Sequence, residues 1–150
     1  MLYEISEKTI RLEEAGRKII KFNLGDPDQP TPIEIIEAAF EAMKKGETKY
    51  SSASGDKELR EALAEIHKVE KENIVITPGS KWAIFAVLYL LLDRGNSVII
   101  PSPHWTAYEL AAKSLGANVK LIKTRLESNW EVDVESLGAL IDDKTRLIII

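Results

Sequence analysis

Residues 74–102 read IVITPGSKWAIFAVLYLLLDRGNSVIIPS, and their pattern indicates the fold class. A short β-branched run at 74–76 is followed by a helix-length apolar segment at 81–94, which Gly95 closes. A second β-branched run comes next, at 98–100. Strands that alternate with helices in this way build right-handed crossovers and a mainly parallel sheet with helices on both faces. Because the helical segment is apolar nearly all round, we expect it to be deeply buried.

The same alternation continues to the end of the chain. The sequence predicts helices at 105–115 and 133–141, and strands at 119–122 and 147–150. The whole pattern predicts an α/β protein of three layers, α/β/α, with a mainly parallel sheet in the middle. Because the last run has the four aliphatic residues typical of a central strand, we expect this chain to be a fragment of a longer protein.

Helical patterns also precede this alternation. Residues 6–16 predict a first helix, with the serine as its N-cap and the glycine as its C-terminal stop, and residues 19–24 predict a short extended piece. The sequence TPIE at 31–34 predicts a capping box with Pro32 at the first helical position, and Gly46 ends the helix that it opens. Two sets of apolar residues recur at helical spacing: Ile35, Ile36, Ala39, Phe40 and Met43, and then Leu59, Ala62, Leu63 and Ile66.

Composition and charge exclude several classes of function. The chain has 20 basic and 24 acidic side chains, a net charge of −4, whereas binding of nucleic acid needs a basic face. It contains no cysteine and only two histidines, His67 and His104, so we predict no metal site. No signal peptide is visible, and the longest apolar run, at 82–92, is shorter than the ~20 residues of a membrane span. We expect a cytoplasmic protein that binds neither nucleic acid nor membrane.

A turn between strand and helix is the first candidate for a ligand site, because open α/β sheets bind ligands beyond the carboxyl ends of their strands. At 77–81 the sequence reads TPGSK, and the backbone N–H groups of Gly79, Ser80 and Lys81 are expected to point at one position. The positive end of the helix dipole points at the same position, which therefore suits a phosphate. Alternatively, Ser80 caps the helix and no ligand binds. The chain has neither the glycine spacing of a P-loop nor that of a dinucleotide-binding fingerprint.

A tryptophan after the next strand is the second candidate. The sequence PSPHW at 101–105 brings Trp105 to the same edge of the sheet, where its indole can stack on a planar heteroaromatic ligand. Alternatively, Trp105 is a core residue at the start of a helix. The neighbouring His104 is more typical of a turn, and we assign it no role. Together, the turn and the indole suit a flat, phosphorylated cofactor.

With these motifs the chain resembles the class I/II aminotransferases, fold-type-I enzymes that use pyridoxal 5′-phosphate (PLP), and within them the aspartate/aromatic/alanine branch. The resemblance implies that 47–150 form the first part of a large PLP-binding domain and that 1–46 form an N-terminal arm and small-domain or linking segment. It also implies that later sequence supplies strands between 74–77 and 147–150. The matching motifs are LGDPDQPTP at 24–32, Tyr50 with Gly55, ELREAL at 58–63, TPGSK at 77–81 and SPHWTAY at 102–108.

The resemblance also implies roles for individual residues. The backbone amides from Gly79 to Lys81 would hold the PLP phosphate, and Trp105 would lie against the pyridine ring and line the substrate pocket. Gly25 would present its N–H to the substrate carboxylate. Tyr50 would reach across a homodimer to the phosphate of the neighbouring subunit. The alternative for this tyrosine is an ordinary exposed loop in which it packs on its own helix.

The activity implied is transfer of an amino group between an L-amino acid and a 2-oxo acid. No lysine of this chain matches the family's Schiff-base lysine, which we expect beyond Ile150, so residues 1–150 alone are predicted to be inactive. Other fold-type-I PLP enzymes, such as a C–S lyase or a decarboxylase, share the same turn, and a non-catalytic regulator that senses PLP or an amino acid is a further alternative. Two residues depart from the family pattern, Gln29 and Trp82, and both bear on the shape of the substrate channel.

Overall fold

The computed structural model describes residues 2–23 and 25–150. They form two compact units, Met1–Tyr50 and Ser51–Ile150. None of the helices in the described residues is long and apolar enough to cross a membrane. The assignment of 1–46 and 47–150 to particular family domains stays a prediction.

The first unit contains helix α1 (Leu2–Glu14) and helix α2 (Ile33–Lys44). The predicted start of α1 is wrong, because the helix already includes Ser6, which therefore is not its N-cap. The Ser6 hydroxyl instead accepts a hydrogen bond from Asn23 Nδ2 at 2.9 Å. The predicted stop at Gly16 is confirmed, since this residue follows the last turn with a φ of +79°.

The predicted capping box at 31–34 is wrong. Helix α2 begins at Ile33, so Pro32 is its N-cap instead of its first residue, and none of the described side chains caps this end. Glu34 is then the second helical residue and not the third, so the reciprocal bonds of a capping box cannot form. The predicted end at Gly46 is confirmed by a φ of +88°.

The rest of the first unit has little packing of its own. Residues 19–23 join no strand ladder in the part of the chain that the structure describes, and Leu24, the end of the predicted extended piece, lies outside that part. The apolar face of α2 is exposed within this chain. Its exposed members are Ile33, Ile35, Ile36, Phe40 and Met43.

The second unit is built on three parallel strands: β1 (Ser97–Ser102), β2 (Asn118–Lys123) and β3 (Thr145–Ile148). Their order is β2-β1-β3, and Val98 of the central strand pairs with Val119 on one side and with Leu147 on the other. The three strands and their parallel direction confirm the prediction. Residues 98–100 are completely buried, because neighbours flank β1 on both edges and helices cover it.

Four helices accompany the sheet: α3 (Lys57–His67), α4 (Ser80–Leu91), α5 (Thr106–Ser114) and α6 (Val134–Leu140). Two of them begin with an aspartate cap whose carboxylate accepts a backbone N–H, from Leu59 at 2.9 Å in α3 and from Ser136 at 2.8 Å in α6. Short 3₁₀ turns lie at Lys71–Asn73 and Leu126–Ser128. The core between the helices and the sheet consists of Leu88, Leu92, Val98, Ile100, Ala112 and Ala117.

The prediction that residues 81–94 are deeply buried is wrong for this chain. Leu88 packs in the core and is 1% exposed, whereas Trp82, Tyr89 and Leu90 are 55%, 66% and 79% exposed. One row of side chains along α4 packs against the sheet. Helix α5 contacts α4 on a further side, but many of the other α4 side chains are exposed, so the all-round apolarity of the helix is not matched by burial.

The predicted strand at 74–76 is also absent. Ile74 has an extended backbone, but the segment joins no ladder within residues 2–23 and 25–150. Its Ile76 N–H donates instead to the Ser54 carbonyl at 2.9 Å. A strand exists only where a neighbour completes its hydrogen bonds, and the three described strands lie elsewhere.

A lysine on β2 ties the sheet to the turn before β3. Lys120 Nζ donates to an Asp142 carboxylate oxygen and to the Leu140 carbonyl, both at 2.8 Å. The Thr145 hydroxyl donates to the other Asp142 oxygen at 3.0 Å. The hydrogen bonds from Lys120 and Thr145 lower the pKa of this carboxyl from 3.8 to about 2.

We expect Asp142 to contribute to acid resistance. A carboxyl whose pKa is lowered in the folded state stabilises the fold fully above pH 3.8, and this contribution is lost as the pH falls through about 2. In the complete protein, denaturant unfolding should show that Asp142→Asn costs stability near neutral pH and progressively less in acid. Asp143→Asn is the matched control. A cost of Asp142→Asn that stays constant down to about pH 2 would contradict this assignment.

Candidate functional site

The turn that opens α4 has the predicted form. The helix begins at Ser80, and Gly79 is its N-cap with a φ of 90° and a ψ of 164°, a backbone conformation that is essentially restricted to glycine. The Gly79 N–H donates to the Thr77 carbonyl at 2.7 Å, and the Thr77 hydroxyl donates to the Gly79 carbonyl at 3.1 Å. The alternative that Ser80 caps the helix is wrong, because this serine is its first helical residue.

The first turn of α4 presents free backbone donors. The first hydrogen bond of the helix runs from the Ala83 N–H to the Gly79 carbonyl, so the N–H groups of Ser80, Lys81 and Trp82 have no acceptor within the helix. No described side chain caps this end. A side-chain carbon added at Gly79 would meet no atom within 4 Å, so the turn is open on that side. Open donors at the positive end of a helix dipole stabilise an anion.

A cavity of about 410 Å³ lies beside this turn. Trp105 and Lys81 both line it, as predicted for an indole and a turn that share one cavity. Trp105 is 40% exposed, so the alternative of a core tryptophan is wrong. The Lys81 ammonium lies 5.7 Å from the centre of the Trp105 ring, which places a positive charge on the ring face. The full set of lining residues is Pro78, Lys81, Trp82, Ile84, Phe85, Trp105, Ala107 and Ala111.

The position of Trp105 is set by the start of α5. Trp105 is the N-cap residue of this helix, and its carbonyl accepts the Tyr108 N–H at 3.1 Å. The edge of one of these two rings meets the face of the other, with centroids 5.4 Å apart and an interplanar angle of 89°. This edge-to-face arrangement is a favourable one for aromatic pairs. Both contacts hold the indole at the cavity wall.

His104, to which we assigned no role, lies against α5. Its Nε2 lies 3.6 Å from Glu109 Oε2, and its buried Nδ1 has no hydrogen-bond partner among the described residues. Glu109 also accepts a hydrogen bond from Lys113, and this bond is the main reason why the pKa of Glu109 is lowered. These contacts tie the turn before Trp105 to the body of the helix.

Trp82 and Phe85 are cavity residues. The resemblance had indicated Trp82 only as a departure that bears on the substrate channel, and nothing in the sequence had indicated Phe85. Both lie on α4 within one turn of Lys81, and their rings are 6.0 Å apart. Their spacing, three residues apart on one helix, places them on the same face. That spacing could have indicated a shared surface, but not that the surface faces Trp105.

Two predicted site residues lie in the other compact unit. Gly25 is in the loop before α2, and a side-chain carbon added there would meet no atom within 4 Å. Tyr50 is fully exposed, so it does not pack on its own helix. The roles predicted for both residues stay predictions.

Comparison with known proteins gives a consistent result. The model of the family "Aminotransferase class I and II" matches residues 17–150. A probable aspartate/prephenate aminotransferase of Rickettsia felis is 36% identical and aligns with 97% of this chain and 37% of its own length. The arginine–pyruvate transaminase of Pseudomonas aeruginosa is 33% identical over 96% of this chain and 38% of its own length. The chain therefore spans well under half the length of these relatives.

A solved structure gives the same result for the fold. The aspartate aminotransferase from Thermus thermophilus with maleate superposes with a TM-score of 0.95 at 32% identity, over 99% of this chain and 41% of that one. This likeness confirms the predicted class, an incomplete fold-type-I α/β fold with a mainly parallel sheet. Sequence match, fold and site motifs agree: the chain belongs to the class I and II aminotransferases.

Proposed function

We propose that the complete protein is a PLP-dependent aminotransferase that moves an amino group between an L-amino acid and a 2-oxo acid. One observation carries the proposal: the open N-terminal turn of α4 and the exposed indole of Trp105 border the same cavity. The curated relatives that the chain matches are named as aminotransferases, which favours this activity over a lyase, a decarboxylase or a regulator. A cytoplasmic location stays a prediction.

The turn fits the phosphate of PLP. A phosphate carries negative charge and accepts several hydrogen bonds, and the N–H groups of Ser80, Lys81 and Trp82 offer donors without intrahelical acceptors. Glycine at the N-cap keeps the approach to these donors open. The Ser80 side chain is exposed beside them and can add a hydroxyl donor.

The cavity fits the pyridine ring. Its volume of about 410 Å³ lies within the range of small-molecule sites, and its lining is largely apolar. Trp105 can lie against a flat ring and restrict its orientation. When bound, PLP supplies the electron sink for chemistry at the α-carbon of an amino acid. The residues of this chain bind and orient the group, and we assign no catalytic lysine within 1–150.

Ser80→Asp should separate phosphate binding from helix stability. A carboxylate at the first residue of α4 interacts favourably with the helix dipole, so the fold should be as stable as the wild type or slightly more stable. The same charge repels a phosphate on the adjacent amides, so the Kd for PLP should rise by about tenfold or more. The measurement is titration of the complete protein with PLP, followed by absorbance.

Val134→Asp is the control for this experiment. Val134 is the first residue of α6 and is 77% exposed, so the change adds the same charge at another helix start. It should leave the Kd for PLP unchanged. If Ser80→Asp binds PLP as tightly as Val134→Asp does, the phosphate does not lie on this turn.

Tyr50→Phe tests the proposed homodimer with shared sites. In this arrangement the hydroxyl of the exposed Tyr50 donates a hydrogen bond to the phosphate bound by the neighbouring subunit. Loss of one hydrogen bond to a charged group costs about 1.5–3 kcal/mol, so the Kd for PLP should rise about tenfold or more while the protein remains a dimer. PLP titration and analytical ultracentrifugation of the complete protein measure the two effects.

Tyr89→Phe is the matched control, because Tyr89 is an exposed tyrosine on α4 that does not line the cavity. Tyr89→Phe should change neither the Kd for PLP nor the oligomeric state. A wild-type protein that is monomeric and still binds PLP tightly would rule out the shared site.

A further inference from the structure

His104 is a largely buried, titratable side chain that the proposed function does not use. Its side chain is 12% exposed, and Nε2 lies 3.6 Å from Glu109 Oε2. The other ring nitrogen, Nδ1, is enclosed and has no hydrogen-bond partner among the described residues. Since residues of this chain already enclose Nδ1, a group from another part of the protein reaches it only if the turn before α5 moves.

The hydrogen-bonding needs of this imidazole depend on its protonation. A neutral ring with its proton on Nε2 has one donor, which faces the Glu109 carboxylate. A protonated ring has a second donor at Nδ1, and an enclosed donor without an acceptor is costly. The added charge offsets this cost only in part, because Glu109 is partly exposed and already pairs with Lys113. A protonated His104 therefore gains by turning outward, where water accepts the hydrogen bond from Nδ1.

No other charged group on the neighbouring elements supplies the missing acceptor. Helix α5 packs against α4, β1 and β2, and Glu109 is the only carboxylate on these four elements. Strand β1 carries no titratable side chain. In the part of the chain that the structure describes, none of the other titratable groups on these elements is a partner of Nδ1. These groups are Lys81, Tyr89, Tyr108, Lys113, Lys120 and Lys123.

We propose that His104 is a positioning residue that couples PLP binding to pH through Trp105. The inference rests on the proposed function, because the effect on PLP passes through the stacking of Trp105. A neutral His104 stays enclosed against α5 and fixes the start of that helix, where Trp105 is the N-cap and lines the cavity. When a protonated His104 turns outward, the peptide that it shares with Trp105 moves the indole from the cavity wall. PLP should therefore bind more weakly as the pH falls from about 8 to about 5.

Titration of the complete protein with PLP at about pH 8 and about pH 5.5 measures this effect. The Kd for PLP should rise about tenfold more between these pH values in the wild type than in His104→Gln. Glutamine keeps an amide donor towards Glu109 but does not titrate, and protonation of PLP itself affects both proteins equally. His104→Leu, which has no donor, should bind PLP more weakly than His104→Gln at the higher pH. His67→Gln is the matched control and should keep the wild-type profile, because His67 is exposed at the end of α3.

Tryptophan fluorescence gives a readout that needs no PLP. The emission of Trp105 is the difference between the complete apoprotein and its Trp105→Phe variant. This emission should shift between the two pH values, and the shift should be absent when both proteins also carry His104→Gln. If PLP does not bind but the emission of Trp105 still follows His104, the proposed function fails and the positioning role stands. If PLP binds with the same pH profile in the wild type and in His104→Gln, the inference is overturned.

Glu109→Gln tests the same contact with His104 in place, so the test does not depend on the folding of the His104 variants. The Glu109 carboxylate is the group that partly stabilises the protonated ring in its enclosed position. Its loss should make the fall in PLP affinity at the lower pH larger than in the wild type. Coincident pH profiles of the wild type and Glu109→Gln would show that His104 does not act on PLP binding.

Discussion

Gly79→Ala should raise the Kd for PLP of the complete protein about 100-fold. Gly79 has a φ of 90° and a ψ of 164°, and a side chain in this region costs about 1–3 kcal/mol. The new alanine relieves this strain by rotating the peptide that leads to Ser80. That rotation turns the Ser80 N–H away from the phosphate and forfeits a hydrogen bond to a charged acceptor, worth about 1.5–3 kcal/mol.

The control for this change is Gly95→Ala. Gly95 has a φ of 89°, and a side-chain carbon there would also meet no atom within 4 Å, so the two glycines differ mainly in location. Gly95→Ala should lower stability through backbone strain and leave the Kd for PLP unchanged, because Gly95 lies beyond the C-terminal end of α4, whereas Gly79 caps its N-terminal end. If Gly79→Ala and Gly95→Ala lose equal PLP affinity, the loss comes from backbone strain in the fold as a whole, and the turn at Gly79 does not bind the phosphate.

Gly55→Ala should lower the free energy of unfolding by about 2–5 kcal/mol. Gly55 has a φ of +103°, which costs about 1–2 kcal/mol for alanine. A side-chain carbon there would also overlap with the Cβ and Cγ1 atoms of Ile76, and overpacking costs about 1–3 kcal/mol. Residues 54 and 76 cannot easily move apart to relieve the overlap, because the Ile76 N–H donates a hydrogen bond to the Ser54 carbonyl.

Denaturant unfolding of the complete protein measures this effect, and Gly46→Ala is the control. Gly46 has a φ of +88°, but a side-chain carbon there would meet no atom within 4 Å. The control therefore carries the backbone strain without the overlap. If Gly55→Ala lowers the free energy of unfolding no more than Gly46→Ala does, the Ile76 side chain moves aside without a measurable loss of stability.

Local patterns predicted the parts of the fold that depend on local interactions. The run at 98–100 forms a buried strand because every neighbour that it needs is within the described chain. The run at 74–76 has the same β-branched character but no neighbouring strand among the described residues, and it therefore forms no ladder there. The prediction that α4 is deeply buried is wrong for the same reason, because the helix lacks neighbours on several sides among the described residues. Strand pairing and helix burial are set by partners distant in sequence, which periodicity does not reveal.

The candidate site divides in the same way. The sequence alone predicts the turn at Gly79 from glycine conformation and the position of Trp105 from the carboxyl end of β1. The cavity wall formed by Trp82 and Phe85 depends on how α4 and α5 pack against each other. The resemblance linked Trp82 to the substrate channel, but no pattern in the sequence indicated Phe85 or the wall. The prediction that Ser6 is the N-cap of α1 is wrong because the helix begins before this residue, at Leu2.

A crystal structure of the complete protein grown with PLP would show directly whether the turn at Gly79 holds the phosphate. We predict that the phosphate accepts hydrogen bonds from the backbone N–H groups of Ser80, Lys81 and Trp82, and that the pyridine ring lies against Trp105. A phosphate bound at any other place in the fold, with this turn facing only solvent or protein, would show that α4 does not bind the cofactor.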